Sequence, residues 1–394
     1  MGIEMRSPVT NPRSVSILGS TGSIGCSTLD IIKRNPDTFV VEALTAYTNV
    51  ELLAQQALQF RPALAVIGDE TLRARLEEAL AGTDITVAAG SQAINEAAER
   101  PSDIVMAAIV GAAGLKPTLQ AVRRGAIVAL ANKECLVCAG PLFMNEVEVA
   151  GATLLPVDSE HNAIFQVFDF DRPDAVERII LTASGGPFRT LSKAEMATVT
   201  PKEAVKHPTW DMGAKISVDS ATLMNKGLEM IEADYLFPVK HEQIEIIIHP
   251  QSVIHSLVAY KDGSVLAQLG SPDMRTPIAF TLGWPNRMEA PSPRLDLAEI
   301  AKLTFETPDE DRFPAVKLAR QALQSGGTAP TILNAANEVA VQGFLEGRIG
   351  FLDIAGTVEK TLNTIQRETV ENLEHVHEVD ERARKATDLI IAQL

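Results

Sequence analysis

The stretch SVSILGSTGSIGCSTLDIIKR, residues 14–34, decides the fold expected for the N-terminal part of the chain. An apolar run leads directly into Gly19, Gly22 and Gly25, and a helical pattern follows. Glycines at a strand-to-helix turn let the backbone approach a pyrophosphate, and the helix N-terminus offers unpaired N–H groups. The spacing G-x-x-G-x-x-G is not the usual G-x-G-x-x-G, so a tight turn without a ligand stays open as an alternative.

The sequence around this stretch alternates between strand and helix patterns. Seven short apolar runs, bounded by Gly, Pro, Asn or Asp, occur between Ser14 and Val157, and helical segments such as Val50–Phe60 separate most of them. Nearly continuous apolar strands that alternate with helices are typical of a parallel sheet covered on both faces. We therefore predict an α/β protein with a Rossmann-like, doubly wound parallel sheet over residues 1–157.

The rest of the chain has a different texture. Between residues 158 and 285 the strand patterns ERIILTA and EIIIHP are followed by a hairpin pattern that turns at Asp262-Gly263, which indicates a partly antiparallel sheet in a central α+β domain. Residues 286–311 are rich in proline and charge and are interpreted as a linker. Only helical patterns follow, so residues 312–394 are predicted to form a C-terminal α-helical bundle.

Composition excludes several classes of protein. Lys and Arg total 35 against 51 Asp and Glu, a net charge of −16, so no basic field for nucleic acid is present and an anionic ligand needs a local positive pocket. No apolar run reaches the ~18–20 residues of a membrane span. The first dozen residues lack the apolar core of a signal peptide, and we expect a flexible arm there.

The three cysteines argue against a disulfide framework and favour a reducing compartment, so we predict a cytoplasmic location. Cys135 and Cys138 form a C-x-x-C pair. Because no thioredoxin-like context surrounds the pair, we interpret it as two helix residues rather than a redox centre.

The end of the second predicted strand indicates which dinucleotide binds. NAD-binding sheets place an acid there for the ribose 2′-hydroxyl. This chain has Thr45-Ala-Tyr-Thr-Asn49 instead, and Glu42 lies inside the strand. Hydroxyls and an amide suit a 2′-phosphate better than a carboxylate does, so we predict NADP(H). Tyr47 as a surface aromatic without such a role is the alternative.

Polar residues are unusually dense in LLPVDSEHNAIFQ, residues 154–166. On an extended chain Asp158 and Glu160 point the same way, and two nearby carboxylates repel each other unless a proton or a cation neutralises them. The acids therefore indicate a cation site, with a solvated turn as the alternative. His161 is interpreted as a supporting histidine rather than a ligand.

A second polar group lies in a run that is otherwise mostly apolar, residues 217–232. Placed on a single helix, four residues share one narrow arc: Thr222, Asn225, Lys226 and Glu229. Such a helix is buried, and its polar wedge faces a polar cavity. A structural Lys226–Glu229 ion pair is the alternative. Glu229 would add a third carboxylate to an all-oxygen site, which suits Mg²⁺ or Mn²⁺.

Two loops complete the candidate site. TASGGPF, residues 182–188, follows a strand and has the small residues and hydroxyl of a phosphate nest, although a plain turn fits as well. HPTWDMGAK, residues 207–215, surrounds Trp210 with rigid and flexible residues, which is typical of a lid that closes over a ligand. A hydrophobic anchor for an ordinary loop is the alternative there.

These patterns occur together, in order, in the 1-deoxy-D-xylulose 5-phosphate reductoisomerase family, which the chain resembles nearly end to end. Eight stretches carry the resemblance: GSTGSIG, AAIVGAAGL, ANKE, PVDSEHNAIFQ, SGGPFR, HPTWDMGAKISVDSATLMNKGLE, HPQSVIHS and GSPDMRTPIA. The resemblance implies a homodimer that uses NADPH and Mg²⁺ or Mn²⁺. Its substrate is a small phosphorylated sugar, which is rearranged and then reduced to 2-C-methyl-D-erythritol 4-phosphate for non-mevalonate isoprenoid synthesis.

The resemblance also implies roles for particular residues. The metal ligands are expected to be Asp158, Glu160 and Glu229. The residues expected to contact the substrate, the catalytic Lys133 and His207 among them, are Lys133, Ser159, Glu160, Ser184, His207, Trp210, Ser220, Asn225, Lys226 and Glu229. The residues expected to contact NADPH are Thr21, Gly22, Ser23, Ile24, Asn49, Asn132, Glu134 and Gly213.

One departure from the family pattern bears on the cofactor. Many members carry Gly-Lys-Asn after the second strand, where this chain has Tyr47-Thr48-Asn49. A lysine is the natural partner of a 2′-phosphate, so its loss weakens the expected preference for NADP. Two other functions remain as alternatives: an NADP-linked dehydrogenase of another sugar phosphate or semialdehyde, and a non-catalytic NADP sensor. Neither requires three carboxylates around a metal ion.

Overall fold

The computed structural model describes residues 11–207, 209–210 and 212–394. Residues 1–10 of the expected N-terminal arm, and Pro208 and Asp211 of the expected lid, lie outside the described residues. The chain forms two compact units. The first joins Met1–Asn132, Glu146–Val157 and Met274–Pro291; the second joins Lys133–Asn145, Asp158–Asp273 and Ser292–Leu394. The division predicted from the sequence, into residues 1–157, 158–285, 286–311 and 312–394, stays a prediction.

The first unit is built on a parallel sheet with the order β4-β3-β2-β1-β5-β6-β7 over the described residues. Its strands are β1 Arg13–Leu18, β2 Phe39–Ala46, β3 Leu64–Ile67, β4 Thr86–Ala89, β5 Ile104–Ala107, β6 Ile127–Leu130 and β7 Thr153–Pro156. The order reverses between β1 and β5, as in a doubly wound sheet. The predicted Rossmann-like fold is confirmed, and each of the seven apolar runs forms a strand.

Helices follow most of these strands. The first five are α1 Ser23–Arg34, α2 Val50–Phe60, α3 Arg73–Ala79, α4 Ser91–Glu99 and α5 Leu115–Arg123. The strands between them are buried on both faces, which explains their continuous apolar sequence. The next helix, α6 Glu134–Ala150, has residues in both units. It carries Cys135 and Cys138, both buried and with no disulfide between them, in agreement with two helix residues rather than a redox centre.

The second unit contains a mixed sheet with the order β11-β10-β8-β9. Its strands are β8 Val176–Ala183, β9 Ile244–Ile248, β10 Ile254–Tyr260 and β11 Val265–Leu269. Within this sheet, β8 and β9 pair in parallel, whereas the other described pairings, β10 with β8 and β10 with β11, are antiparallel. The predicted hairpin is confirmed, since β10 and β11 are joined through Asp262 and Gly263, whose φ of +88° suits a glycine.

The remaining regular structure of the described chain is mostly helical. Those that follow α6 are α7 Ser159–Val167, α8 Lys193–Met196, α9 Pro201–Ala204, α10 Ala214–Thr222 and α11 Met224–Leu236. The first unit then receives α12 Arg275–Gly283. The predicted C-terminal helical region is confirmed, with α13 Leu297–Ile300, α14 Ala315–Ser325, α15 Ala329–Leu345, α16 Asp353–Thr364 and α17 Leu373–Ile391. No helix among the described residues has the length and apolar character needed to cross a bilayer.

The prediction of one helix over residues 217–232 is wrong. Leu223 has a φ of +63°, so α10 ends at Thr222 and α11 starts at Met224. The Thr222 hydroxyl donates to Asp219 O and accepts from Met224 N, local bonds that compete with a continuous helix. Thr222 therefore lies on a different helix from the other residues of the polar wedge.

Candidate active site

Three carboxylates from distant parts of the sequence meet in the second unit. Asp158 caps the start of α7, Glu160 lies in the first turn of α7, and Glu229 lies on α11. One carboxylate oxygen from each residue lies within 4.8 Å of the other two. Glu229 is almost fully buried, with 1% of its surface exposed. This is the arrangement of hard oxygen donors that a divalent cation requires.

The extended backbone expected for Asp158 and Glu160 is wrong, because the helix already starts at Ser159. The two carboxylates converge through the first helical turn instead. Ser159 Oγ donates a 2.6 Å hydrogen bond to Glu160 Oε2 and so orients that carboxylate. Ser159 thus supports an acid of the cluster.

Two buried lysines neutralise the acids. Lys133 Nζ lies 2.5 Å from Asp158 Oδ2 and 3.2 Å from Glu229 Oε1. Lys226 Nζ lies 3.0 Å from Glu160 Oε1 and also contacts Glu229 Oε2, so the pair considered from the sequence does form. Asn225 donates to Glu229 Oε1 as well. Buried charges persist only with such partners, and every carboxylate of the cluster has one.

The acids of the cluster have very different proton affinities. Burial, together with the negative charge of Glu229, raises the pKa of Glu160 to about 8. Burial opposes ionisation of Asp158 as well, but the Lys133 ammonium and the other favourable charges and hydrogen bonds around Asp158 together outweigh it, so its pKa lies well below its ordinary value. Two adjacent carboxylates repel each other when both are ionised, and a cation between them removes this repulsion. The residues present therefore fit a divalent ion.

The loop after β8 forms a second polar group with His207. Burial lowers the pKa of His207, and its Nδ1 accepts hydrogen bonds from the backbone N–H groups of Thr209 and Trp210. The proton of the neutral ring therefore lies on Nε2, which is 2.8 Å from Ser184 Oγ. Ser184 Oγ also accepts from Gly186 N at 3.1 Å. With two donors on its oxygen, the Ser184 hydroxyl can donate its own proton to a ligand.

Gly186 brings this loop against α10. Its φ is +68°, and a Cβ at this position would lie 2.8 Å from Ser220 O. Only glycine permits so close an approach. The close contact sets the Ser184 loop beside the helix that carries Ser220, and Gly213 precedes that helix as its N-terminal cap residue.

The first unit carries the expected nucleotide loop. Gly19 has a φ of +88°, and a Cβ there would lie 2.7 Å from Ala108 O, at the point where the strand order reverses. A Cβ on Gly25 would lie 2.5 Å from Gly19 O, which keeps α1 tight against the turn. Gly22 caps α1 without any side-chain hydrogen bond, and the residues around it are at least partly exposed: Thr21, Gly22, Ser23 and Ile24. This bare helix N-terminus fits a pyrophosphate.

Other expected cofactor contacts have partners within the protein. Asn49 Oδ1 accepts from Leu52 N and caps α2, while Tyr47 is 73% exposed. Asn132 Nδ2 donates to Ile109 O and Gly111 O and so shapes the loop after β5. Their roles toward NADPH stay predictions.

Glu134, also expected at the cofactor, belongs to the second unit. Its Oε1 lies 3.1 Å from Lys215 Nζ, and Lys215 also contacts Asp219 at 3.0 Å. Its contact with NADPH likewise stays a prediction.

Sequence reasoning missed three residues near the site. His255 lies in the motif HPQSVIHS, its ring centroid is 6.2 Å from that of Trp210, and burial lowers its pKa to about 4. Glu232 is fully buried one turn beyond Glu229. Lys215 was passed over although it is the last residue of the expected lid segment. The one signal that could have indicated Glu232 is an acidic residue within a mostly apolar helical run.

A doubly wound sheet with an open, glycine-lined helix N-terminus, together with three clustered carboxylates in a second unit, defines a nucleotide-dependent and metal-dependent oxidoreductase. Three family models match the chain. Residues 15–140 match 1-deoxy-D-xylulose 5-phosphate reductoisomerase, and residues 154–237 and 269–386 match C-terminal domains of the same enzyme. The chain belongs to the 1-deoxy-D-xylulose 5-phosphate reductoisomerase family.

Relatives agree over almost the whole length. A 1-deoxy-D-xylulose 5-phosphate reductoisomerase from Rhodospirillum centenum is 62% identical over 380 residues, 96% of this chain and 94% of that protein. A crystal structure of the Zymomonas mobilis enzyme in complex with NADPH is 55% identical, has a TM-score of 0.93 and matches 98% of this chain and all of that one. A DOX-P reductoisomerase in complex with NADPH, fosmidomycin and magnesium is 44% identical, with a TM-score of 0.92 and coverage of 96% and 98%.

Proposed function

We propose that the chain converts 1-deoxy-D-xylulose 5-phosphate into 2-C-methyl-D-erythritol 4-phosphate, with NADPH as the reductant and Mg²⁺ or Mn²⁺ as the metal. The observation that carries this proposal is the convergence of Asp158, Glu160 and Glu229 in one buried cluster. Family membership, and relatives whose structures contain NADPH and magnesium, support the same reaction. The reaction belongs to non-mevalonate isoprenoid precursor synthesis.

Asp158, Glu160 and Glu229 would hold the divalent ion. When bound, such an ion supplies Lewis-acid stabilisation of negative charge on a substrate oxygen. Lys133 adds a second positive charge beside the same carboxylates. Because Lys133 is buried, little water screens its charge, and its attraction for a nearby negative oxygen is stronger than at the surface. Lys133 thereby stabilises the oxyanion while the carbon skeleton rearranges.

The phosphate of the substrate would be bound away from the reacting carbons. We assign it to Ser184, Ser220, Asn225 and Lys226, with His207 beside them. The Ser184 hydroxyl has a free proton to donate because its oxygen already accepts from His207 and Gly186. Lys226 supplies an ammonium that is 3% exposed. Binding energy from this remote group aligns the reacting carbons.

NADPH would bind with its pyrophosphate at the α1 N-terminus, and when bound it supplies the hydride. Thr21, Ser23 and Ile24 offer backbone N–H groups there, and Gly22, whose own N–H donates to Gly19 O, lets the pyrophosphate approach the turn. The segment around Trp210, which lies beside His255, would act as a lid that excludes water from the rearranged aldehyde before it is reduced. Reduction of an aldehyde needs a dry site, because a hydrated aldehyde does not accept a hydride.

We also propose a cytoplasmic homodimer. Strand β11 ends the second sheet, and within the described residues it pairs with β10 alone. Val265, Leu266 and Leu269 on this strand are 51%, 49% and 36% exposed. An unpaired edge with exposed apolar residues favours association, and a second copy can pair the same edge antiparallel about a two-fold axis.

Loss of the reduced-nicotinamide absorbance band tests the proposed function. The purified chain, 1-deoxy-D-xylulose 5-phosphate, NADPH and Mg²⁺ should give a falling absorbance that a chelator abolishes and added Mg²⁺ restores. Oxidation that ignores the chelator would favour a metal-free sugar-phosphate dehydrogenase. No oxidation despite NADPH binding would favour the sensor.

A further inference from the structure

A histidine and a glutamate form an unusual contact behind the carboxylate cluster. His161 on α7 and Glu232 on α11 are both fully buried. His161 Nδ1 lies 3.3 Å from Glu232 Oε2. Among the described residues, no hydrogen-bond partner satisfies either this nitrogen or the two Glu232 oxygens. Buried polar atoms are rarely left in this state, so the contact requires an explanation.

The other ring nitrogen fixes which tautomer His161 adopts. His161 Nε2 is 2.9 Å from the backbone carbonyl oxygen of Glu229. A carbonyl oxygen can only accept, so Nε2 must carry a proton. In the neutral ring Nδ1 is then an acceptor, and it faces a carboxylate that is also an acceptor when ionised. Two buried acceptors at this distance require a proton or a metal ion between them.

A proton explains the contact better than a second metal ion does. Asp158, His161 and Glu232 offer ligand atoms within 4.8 Å of one another, so a cation site is geometrically conceivable. A dication there would, however, share Asp158 with the ion held by Asp158, Glu160 and Glu229, and two dications so close together would repel each other. A proton on Glu232 adds no such repulsion. Burial and the nearby charge of Asp158 raise the pKa of Glu232 well above its ordinary value, in the same direction.

The His161 bond joins the two helices that supply the metal ligands. Helix α7 starts directly after Asp158 and carries Glu160, while α11 carries Glu229. The lysine contacts occupy the carboxylate oxygens that a metal ion would take. The bond from His161 ends on a backbone carbonyl, so it takes no carboxylate oxygen of Glu229 and does not compete with an ion for one. The ring of Phe237 lies nearly parallel to the imidazole, with the two ring centroids 6.4 Å apart.

We propose that Glu232 is a positioning residue of the metal site. As a neutral acid it donates a hydrogen bond to His161 Nδ1, which keeps the Nε2 proton directed at the Glu229 carbonyl and sets the spacing of the three carboxylates. The inference rests on the proposed function, since it takes Asp158, Glu160 and Glu229 as the ligands. Nothing in the family resemblance assigned a role to Glu232.

Equilibrium binding of Mn²⁺, followed by the electron paramagnetic resonance of the free ion, tests the proposal without substrate or NADPH. Glu232→Gln keeps an N–H donor toward Nδ1 and should bind Mn²⁺ much as the unchanged chain does. Glu232→Leu has no donor and should bind about 10- to 100-fold more weakly, as is typical when a ligand loses its outer partner. Asp234→Leu, on the same helix, is the matched control and should leave the affinity unchanged.

Several results would overturn the proposal. Equal weakening by both Glu232 variants would mean an ionised Glu232 against an imidazolium, and full affinity in Glu232→Leu would mean that the contact positions nothing. Two Mn²⁺ ions per chain, reduced to one by Glu232→Gln, would mean a second metal. A chain that binds no Mn²⁺ at all would refute the metal-dependent function together with this inference.

The tautomer of His161 gives a second readout that needs no variant to fold. In the ¹⁵N-histidine-labelled chain, the ring correlations of His161 should report a proton on Nε2 and an unprotonated, hydrogen-bonded Nδ1. A proton on Nδ1, in either the other tautomer or the imidazolium, would contradict the proposal.

Discussion

Glu229 is the residue at which the polar groups of the second unit converge. Its two oxygens contact Lys133, Asn225 and Lys226. Its backbone carbonyl accepts from His161. A side chain held by this many partners has little freedom, so its carboxylate is already oriented before an ion binds. A bound ion would replace lysine contacts at these oxygens, while the bond from His161 to the backbone carbonyl would not compete with it.

Glu229→Gln should raise the Mg²⁺ concentration needed for half-maximal activity by more than about tenfold, because loss of an outer partner alone costs that much. Turnover should fall as well, since one negative ligand is missing. The measurement is the Mg²⁺ dependence of NADPH oxidation, with the exposed Glu242→Gln as the control. An unchanged Mg²⁺ requirement would remove Glu229 from the metal site.

Lys226→Ala should chiefly weaken binding of the phosphorylated substrate. A charge-assisted hydrogen bond contributes about 1.5–3 kcal/mol, so the affinity should fall by about 10- to 100-fold. Titration with 1-deoxy-D-xylulose 5-phosphate measures the loss, and the exposed Lys193→Ala is the control. Loss of NADPH affinity with intact substrate affinity would show that Lys226 does not bind the phosphate.

The sequence anticipated that Asp158, Glu160 and Glu229 come together, because isolated charges on apolar segments need partners. It did not reveal Glu232. From the sequence, Glu232 is only a second acid in the run that contains Glu229. Its contact with His161, which comes from a distant part of the chain, is visible only in the folded structure. Such tertiary partners leave no periodic pattern in the chain.

At the scale of elements, the apolar pattern predicted where strands form more reliably than it predicted where helices start and end. The seven apolar runs form β1–β7 because a short, continuously apolar segment is buried on both faces when it lies in a parallel sheet covered by helices. The break at Leu223 was not predictable from residue type, since leucine is uncommon at positive φ. The start of α7 at Ser159 was not predicted, because only two residues separate it from the end of β7 and the polar residues around it resemble a loop.

The first turn of α10 is fixed by an ion cluster. Lys215 Nζ contacts Glu134 and Asp219, and Asp219 accepts a 2.7 Å hydrogen bond from Asn337 on α15. Lys215 lies near a helix N-terminus, where a positive charge is unfavourable, so these contacts must outweigh the helix dipole. The cluster therefore links α10 to α6 and α15 within the second unit.

Lys215→Met should destabilise the second unit by about 3 kcal/mol, because removal of one partner leaves buried carboxylates uncompensated. Chemical denaturation followed by circular dichroism measures the loss, and the exposed Lys360→Met is the control. Adding Glu134→Gln to Lys215→Met should restore part of the stability, since one stranded charge is then removed. A stability equal to that of the unchanged chain would mean that the cluster is solvated.

At the scale of the whole molecule, the edge of the second sheet should control assembly. Leu266→Lys puts a charge on the exposed face of β11 and should convert the proposed dimer to monomers, because a charged edge opposes strand pairing. Sedimentation velocity gives the assembly state. The control is Val149→Lys, which places the same charge at an exposed position on α6. A dimer that survives Leu266→Lys would place the interface elsewhere.

The most direct test of the account is a crystal structure with Mn²⁺ and its anomalous scattering. The account predicts one strong anomalous peak in the second unit, within direct bonding distance of one oxygen each from Asp158, Glu160 and Glu229, with Lys133 nearby. An ion bound away from these three residues, or a Glu229 carboxylate that stays turned from an ion held by Asp158 and Glu160, would contradict it.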